Sequence, residues 1–342
     1  LTGRDVMNIA VGRIPARSAA EAKVFTDRLE SYLTKPIEGE WRNRVLLLAD
    51  DGDNGVHLSQ TEDLEESMRG HGSGEDMTYR KVYLDAYALQ GGVTVAGRDK
   101  LHSLLSDGVV WWNYIGHASP TALSGEGVFT IQDVRGLYLK KPAFFYGATC
   151  SFVEWDRIEE AGLQQLTLSE SGGLIGGIAA VRPVQIARNG PFAATMGSEL
   201  FTRTSDGRMR PVAEVLRLAK NRTLNENNKM RYVMLGDPAM RLAVPGNTVT
   251  LDSVNGIKVT PIYDEDTDPI VIQAFSRVRF SGSVVDADGT RTDAFDGYVS
   301  LTLYDAETSF ATIRGDYDNP FVADEQGERL FTGRGTVKGG KW

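Results

Sequence analysis

Cysteine occurs once in the 342 residues, at Cys150. A lone thiol cannot close an internal disulfide, so a disulfide-stapled scaffold is excluded. Long apolar runs are missing as well, and none approaches the roughly 18 residues of a membrane-crossing helix. The start at Leu1 carries no initiator Met and no basic leader; the sequence reads as a soluble piece, and a fragment of a longer exported protein would look the same. Basic clusters are scarce: 37 Lys and Arg against 46 Asp and Glu give a net charge of −9, which argues against nucleic acid as a partner. Histidine is rare. His57, His71 and His102 fit neither an HExxH pattern nor a Cys/His ligand spacing, so no metal centre is expected. What the chain does have is a hydrophobic content of 41%, enough for one large or two ordinary domains.

The apolar residues are organised. Ser18 to Leu33 places Ala22, Phe25, Leu29 and Tyr32 at helical spacing behind a Ser18/Glu21 capping box. Five apolar runs then follow: "RVLLLAD" (44–50), "KVYLDAY" (81–87), "GVVWWNYIG" (108–116), "AFFYGATC" (143–150) and "GLIGGIAAV" (173–181). They predict buried strands of a parallel sheet. The stretches "TEDLEESM", "RDKLHSLL", "IQDVRGLYL" and "IEEAGLQQLTL" predict the crossover helices, and "FAATMGSELF" and "PVAEVLRLAK" extend the alternation into an α/β fold. From Thr248 the runs become short, Val/Thr/Phe/Tyr-rich and broken by turns such as "DADGT", which predicts hairpin-connected β structure. The boundary falls near 245–247, and a further strand is expected beyond the closing "VKGGKW".

Function in an open α/β sheet gathers at the carboxyl ends of the strands. Asp50 and Asp51 end the first run, His117 follows the third and Cys150 ends the fourth. A cysteine in that place is either a small buried hydrophobe or a nucleophile. A neighbouring imidazole would make it the second, serving first as base and then as acid. Small residues around His117 in "NYIGHAS" permit close approach of a substrate. Arg182, at the end of the fifth run, could meet a substrate carboxylate or join a structural ion pair. The "WWNY" cluster (111–114) reads as core.

The pair "NYIGHAS" (113–119) and "YGATCSFVEWD" (146–156) resembles the gingipain-type (C25) cysteine peptidases of the caspase-like clan, and within them the PorU-like sortases of type IX secretion. Supporting stretches are "IAVGRIPARSAAEAK" (9–23), "VLLLADDGDNGVH" (45–57), "SGGLIGGIAAVRPV" (171–184) and "LGDPAMRL" (235–242). The resemblance implies an N-terminal segment of the peptidase region over 1–40 and a caspase-like peptidase domain over 41–245. That domain would hold a mostly parallel sheet flanked by helices, and an Ig-like β-sandwich would follow over 246–342. It implies Cys150 as nucleophile and His117 as general acid/base. Asp51 would orient the histidine, with Asp50 as its close rival, and the oxyanion would lie between the amides of Ala118 and Cys150. Family members usually carry glycine where Ala118 stands, and the required backbone angle suits alanine less well. No counterpart of the gingipain determinant for basic residues is present.

By the same resemblance the substrates are secreted cargo proteins with C-terminal signal domains. The partners are other type IX secretion components and lipopolysaccharide as an acceptor, and the location is the extracellular face of the outer membrane. Two other readings stand beside it: a catalytically silent surface scaffold of the same fold, and a calcium-dependent adhesion module. Calcium is the one cofactor the acidic stretches could take. "DDGDNGVHLSQTE" (50–62) offers Glu62 at the twelfth place counted from Asp51 but Val56 at the sixth, where an EF-hand needs glycine. "YDEDTDPI" (263–270) and "DADGTRTDAFDG" (286–297) read as solvated turns.

Overall fold

In this computed structural model the structure is described for residues 6–223, 226–260, 269–273, 275–286 and 288–342. It divides into two units. The first comprises Leu1–Val244 together with Glu307–Gln326, and the second Pro245–Ala306 with Gly327–Trp342.

The apolar runs form strands because continuous Val/Leu/Phe/Trp segments can be buried on both faces only inside a covered sheet. In chain order the first unit contains α1 (Ala19–Thr34), β1 (Arg44–Ala49), α2 (Val56–Arg69), β2 (Thr78–Tyr83), α3 (Val95–Asp107) and β3 (Trp111–Ile115). A small hairpin follows, β4 (Ala122–Leu123) and β5 (Phe129–Thr130), leading into α4 (Ile131–Gly136) and β6 (Phe144–Ala148). Next come α5 (Gly162–Leu168), β7 (Gly176–Ala180), α6 (Ile186–Leu200), α7 (Val212–Thr223), α8 (Glu226–Arg231) and β8 (Tyr232–Leu235). The large sheet has the order β2-β1-β3-β6-β7-β8. All neighbours are parallel except β8, which runs antiparallel to β7. The fold is the α/β arrangement expected, a mostly parallel sheet between helices.

Alternate residues of each strand serve opposite layers. Val45, Leu47, Trp111, Phe144 and Tyr146 share a core with Leu58 and Leu64 of α2 and Phe192 and Met196 of α6. Leu46, Leu48, Trp112, Tyr114 and Phe145 share the other with Leu101 of α3 and Leu163 and Leu166 of α5. Both tryptophans of "WWNY" are fully buried. At the β8 edge the N-terminal segment adds one more rung, with Arg13 N–H on Met234 O at 3.0 Å and Gly236 N–H on Arg13 O at 2.8 Å. α1 starts where the capping residue predicts: Ser18 Oγ accepts the Glu21 N–H at 3.2 Å, while the Glu21 carboxylate reaches past the cap to the Arg17 N–H.

The second unit is antiparallel β structure, the material of a sandwich. β9 (Thr248–Val254) pairs with β10 (Ile257–Lys258) and β11 (Phe280–Val285), and β12 (Gly297–Tyr304) pairs with a later strand, Arg329–Val337. Val284, Val299 and Val337 form its core. The stretch 246–342, expected as one β domain, is divided here. β13 (Thr308–Ala311) and β14 (Val322–Glu325) pair with each other inside the first unit, so the strand Arg329–Val337 is β15. Glu325 holds this excursion to β2 and α3 through Arg80 Nε at 3.0 Å and Lys100 Nζ at 2.7 Å.

Candidate functional site

Register brings the candidate residues together. Ala49 of β1 lies opposite Ile115 of β3, and Ile115 opposite Ala148 of β6. Asp51, His117 and Cys150 therefore each stand two residues beyond one common rung, on three adjacent strands. That rim is where a parallel sheet exposes its side chains to solvent and substrate.

The backbone of His117 is fixed on both sides. Asp50 Oδ2 accepts its N–H at 2.7 Å, while Ser124 N–H at 3.0 Å and the Tyr114 hydroxyl both donate to its carbonyl. Asp50 is 1% exposed, and burial pushes its carboxyl up to about 7 against the opposing hydrogen bond from His117. Gly116 is required for this approach, because a Cβ there would meet the Asp50 Cβ at 2.2 Å. Asp50 thus holds the histidine's main chain and leaves the ring to another group.

That group is Asp53. Its Oδ2 lies 2.6 Å from His117 Nε2 and 3.1 Å from Nε2 of His57, so two imidazoles share one carboxylate oxygen. The bond from His117 is the main reason the Asp53 carboxyl lies below its ordinary range. Asp51, expected to orient the imidazole, instead pairs with Nη1 of Arg314, whose Nε and Nη2 hold Tyr87 O at 2.9 Å and Leu84 O at 3.1 Å. The reason for the shift is local. Gly52, Asp53, Asn54 and Gly55 have φ of 70°, 48°, 55° and 72°, a left-handed run that turns residue 53 toward the end of β3. Gly, Asn and Asp tolerate that conformation better than other residues. "DGDNG" carried this signal, and His57 follows Asp53 by one turn on the helix that begins at Val56. Nothing in the linear spacing ties His57 to His117; only the fold does, with their rings edge-on at 5.3 Å between centroids.

Arg314 belongs to the 307–326 excursion, which braces the acidic loop. Asp316 Oδ1 accepts the Asn54 N–H at 2.7 Å, and the Tyr317 hydroxyl donates to Asp85 Oδ2 at 3.1 Å. Glu62, the twelfth position of the calcium-like loop, lies within α2 and is taken by Lys81 Nζ at 2.8 and 2.9 Å and by the Tyr83 hydroxyl. Asp286 closes a turn by accepting the amides of Asp288 and Thr290, both at 3.0 Å. Most of the acidic run at 263–270 lies outside the described residues.

Cys150 is half-buried. Its Sγ accepts the Val184 N–H at 3.3 Å, and the main chain turns at once, with Ser151 at φ 46°. Among the described residues no hydrogen bond joins Sγ to the His117 ring, which is 67% exposed. The strand end beneath the thiol is pinned by Asn189 Nδ2 on Ala148 O at 3.1 Å, with the Tyr232 hydroxyl on Asn189 Oδ1 at 2.8 Å. Arg182 has its carboxylates already: Asp156 at 3.1 Å and Glu154 at 3.4 Å, so it ties the loop after Cys150 to the end of β7. Ala118 forms a bridge with Leu123 through the bonds of its neighbours, Ser119 N–H to Ala122 O and Ser124 N–H to His117 O. Its own N–H is left out of that bridge. Its φ is not positive, so alanine sits there unstrained. A cavity of about 480 Å³ lined by Arg13, Trp155, Leu216 and Tyr232 includes neither Cys150 nor His117 in its wall.

Comparison with known proteins gives the following. The profile of peptidase family C25 matches residues 1–243. Among solved structures the chain is similar to the Arg-specific cysteine proteinase gingipain R (RGPB), at 16% identity and a TM-score of 0.60, covering 100% of this chain and 69% of that one. Dimeric latent PorU from Porphyromonas gingivalis is matched at 26% identity over 42% of this chain and 13% of that one, with a TM-score of 0.27 that carries no argument. Among curated proteins, 139 residues are 30% identical to 3-phosphoshikimate 1-carboxyvinyltransferase of Escherichia coli (strain SMS-3-5 / SECEC), 40% of this chain and 30% of that protein. The chain thus spans under a third of the length of the curated relatives it matches, and that match shows no family.

Proposed function

From the premise that the chain belongs to peptidase family C25, we propose that it is a cysteine endopeptidase with Cys150 as nucleophile and His117 as general acid/base. The observation that carries this reading is the common rung, which sets the thiol and the imidazole on adjacent strand ends. Asp53 orients the imidazole, Asp50 fixes its main chain, and the amides of Ala118 and Cys150 receive the oxyanion. In the reaction the Cys150 proton passes to His117 while sulfur attacks the peptide carbonyl. The leaving amine takes the proton back, and a thioester remains on Cys150. Water or an acceptor amine then resolves the thioester with His117 as base. The N–H of Val184 directed at Sγ supports the thiolate in each half-reaction.

The finer reading rests on the sequence motifs. The substrates are secreted proteins carrying a C-terminal signal, the acceptor is water or a lipopolysaccharide amine, the partners are other type IX secretion components, and the site is the extracellular face of the outer membrane. Among the described residues no helix is long and apolar enough to cross a membrane. The arginine specificity named for gingipain R is not carried over, since the carboxylates of Asp156 and Glu154 at this rim are already paired with Arg182.

One observation favours a second reading. The thiol bonds Val184 and not His117, as it would in a silent scaffold of the same fold. The test is a cargo peptide offered to the protein and to Cys150→Ala, with both products weighed by mass spectrometry and the thiol labelled by an electrophilic probe. Cleavage retained by Cys150→Ala would sink the peptidase assignment. A probe that never labels Cys150 in a protein that cleaves nothing would establish the scaffold.

A further inference from the structure

Two imidazole nitrogens and a carboxylate oxygen, those of His57, His117 and Asp53, lie within 4.8 Å of one another. We propose that this cluster is a binding site for a zinc-like transition dication, and that the ion switches the peptidase off by seizing His117. Two nitrogens and one oxygen are the donor set such ions take, with the fourth position left to water, whereas calcium prefers oxygen alone. The three donors already converge: both Nε2 atoms rest on Asp53 Oδ2, at 2.6 and 3.1 Å. Tetrahedral zinc needs ligand separations of roughly 3.3 Å, so the set has only to open slightly around the ion.

The three ligands differ in firmness. His57 is 2% exposed on α2 and forms a fixed floor, while Asp53 and His117 are exposed and can adjust. Burial already favours the neutral His57 ring that a metal requires. The exchange is balanced. The ion takes the Nε2 lone pairs: in a neutral ring the Nε2 proton moves to Nδ1, and an imidazolium ring releases its Nε2 proton to solvent. For His57 the remaining proton sits on an Nδ1 buried with no hydrogen-bond partner among the described residues. The site is therefore weaker than a resident zinc centre, and the ion binds as a reversible inhibitor. Inhibition follows because a metal on Nε2 of His117 leaves the ring's proton on Nδ1, the nitrogen that the bond to Asp53 leaves free for Cys150, so the ring can no longer accept the thiol proton. That last step rests on the peptidase reading; the binding does not.

The test is calorimetric titration of the whole metal-free chain with zinc chloride near neutral pH, repeated with cobalt(II) to read ligand type by absorption. The expected result is one ion per chain, no thiolate-to-cobalt charge-transfer band, and Cys150→Ser binding as the wild type does. His57→Asn and Asp53→Asn should lose at least about tenfold in affinity. Asp53 lies in an exposed loop, so its variant stands even where the buried His57 substitution fails to fold. Absence of binding by the wild type overturns the site, as does full retention in Asp53→Asn. Loss in Cys150→Ser with retention in the other two would place the ion on the Cys–His pair instead, and also overturns it. Tight binding that leaves cargo cleavage unchanged overturns the inhibition. A metal-free chain that cleaves no cargo defeats the peptidase reading and leaves the titration to decide the site alone.

Discussion

Asp50 is a buried carboxylate whose Oδ2 accepts the His117 amide, while its Oδ1 has no hydrogen-bond partner among the described residues. A carboxyl whose folded pKa lies above its unfolded one binds its proton more tightly in the fold. Its contribution to stability is full below the unfolded value of about 4 and is lost as pH rises to the folded value of about 7. A gap of about three units corresponds to an upper figure of ~4 kcal/mol for keeping this residue ionised. Asp50→Asn removes that cost, and its amide oxygen can still accept the His117 N–H. Its new NH₂ inherits the unpartnered position, which takes back about 1–3 kcal/mol. The net expectation is a variant more stable by ~1–2 kcal/mol at pH 8, and no more stable than wild type near pH 4. His57, whose pKa is lowered first by burial and then by the nearby His117, gains stability in the opposite direction as pH rises. The informative quantity is therefore the difference between wild type and variant at each pH. Urea unfolding followed by tryptophan fluorescence suits it, since Trp41, Trp111, Trp112 and Trp155 all lie in the first unit. A difference that does not change between pH 4 and pH 8 would refute the assignment of Asp50 as a strained anion.

Other outcomes follow from the same geometry. Asp53→Asn should lower kcat on the order of 100-fold, less than the ~10⁴ lost with a buried triad carboxylate because His117 is exposed, while Asp51→Asn should act mainly on stability. Peptide-cleavage kinetics on the two variants separate these roles. Gly116→Ala should destabilise by about 3 kcal/mol or more, since its methyl meets Asp50 inside van der Waals contact; thermal unfolding reads this directly. Arg314→Met should cost about 2–3 kcal/mol by leaving Asp51 without its cation, and Arg314→Met/Asp51→Asn should recover part of that loss in the same assay.

The strands were legible because burial on both faces forces continuous apolar runs, as in 44–49 and 111–115. β8 was harder: "YVML" is four residues long, and its neighbours give no periodicity. α5 begins only at Gly162, because Glu159 and Glu160 precede a backbone bond from Gly162 N–H to Pro120 O that fixes the entry. For the site, Cys150 and His117 were readable as strand ends. The partner of the imidazole was not, since the choice between Asp51 and Asp53 depends on four left-handed residues, and sequence shows only that such a turn is permitted. The excursion 307–326 was illegible for a different reason. Alternating β residues look the same whichever body they cover.

That excursion sets an order of assembly. The ion pair between Asp51 and Arg314 spans 263 positions, so the loop carrying Asp53 is completed by residues that leave the ribosome long after the sheet itself. Closing so distant a contact comes late, because its entropic cost precedes its reward. A chain stopped at residue 243, where the family match ends, has every strand of the sheet yet leaves Asp51 without its cation and Asp85 without Tyr317. Maturation of the loop that holds His117 thus reports that the chain has been made past Arg314.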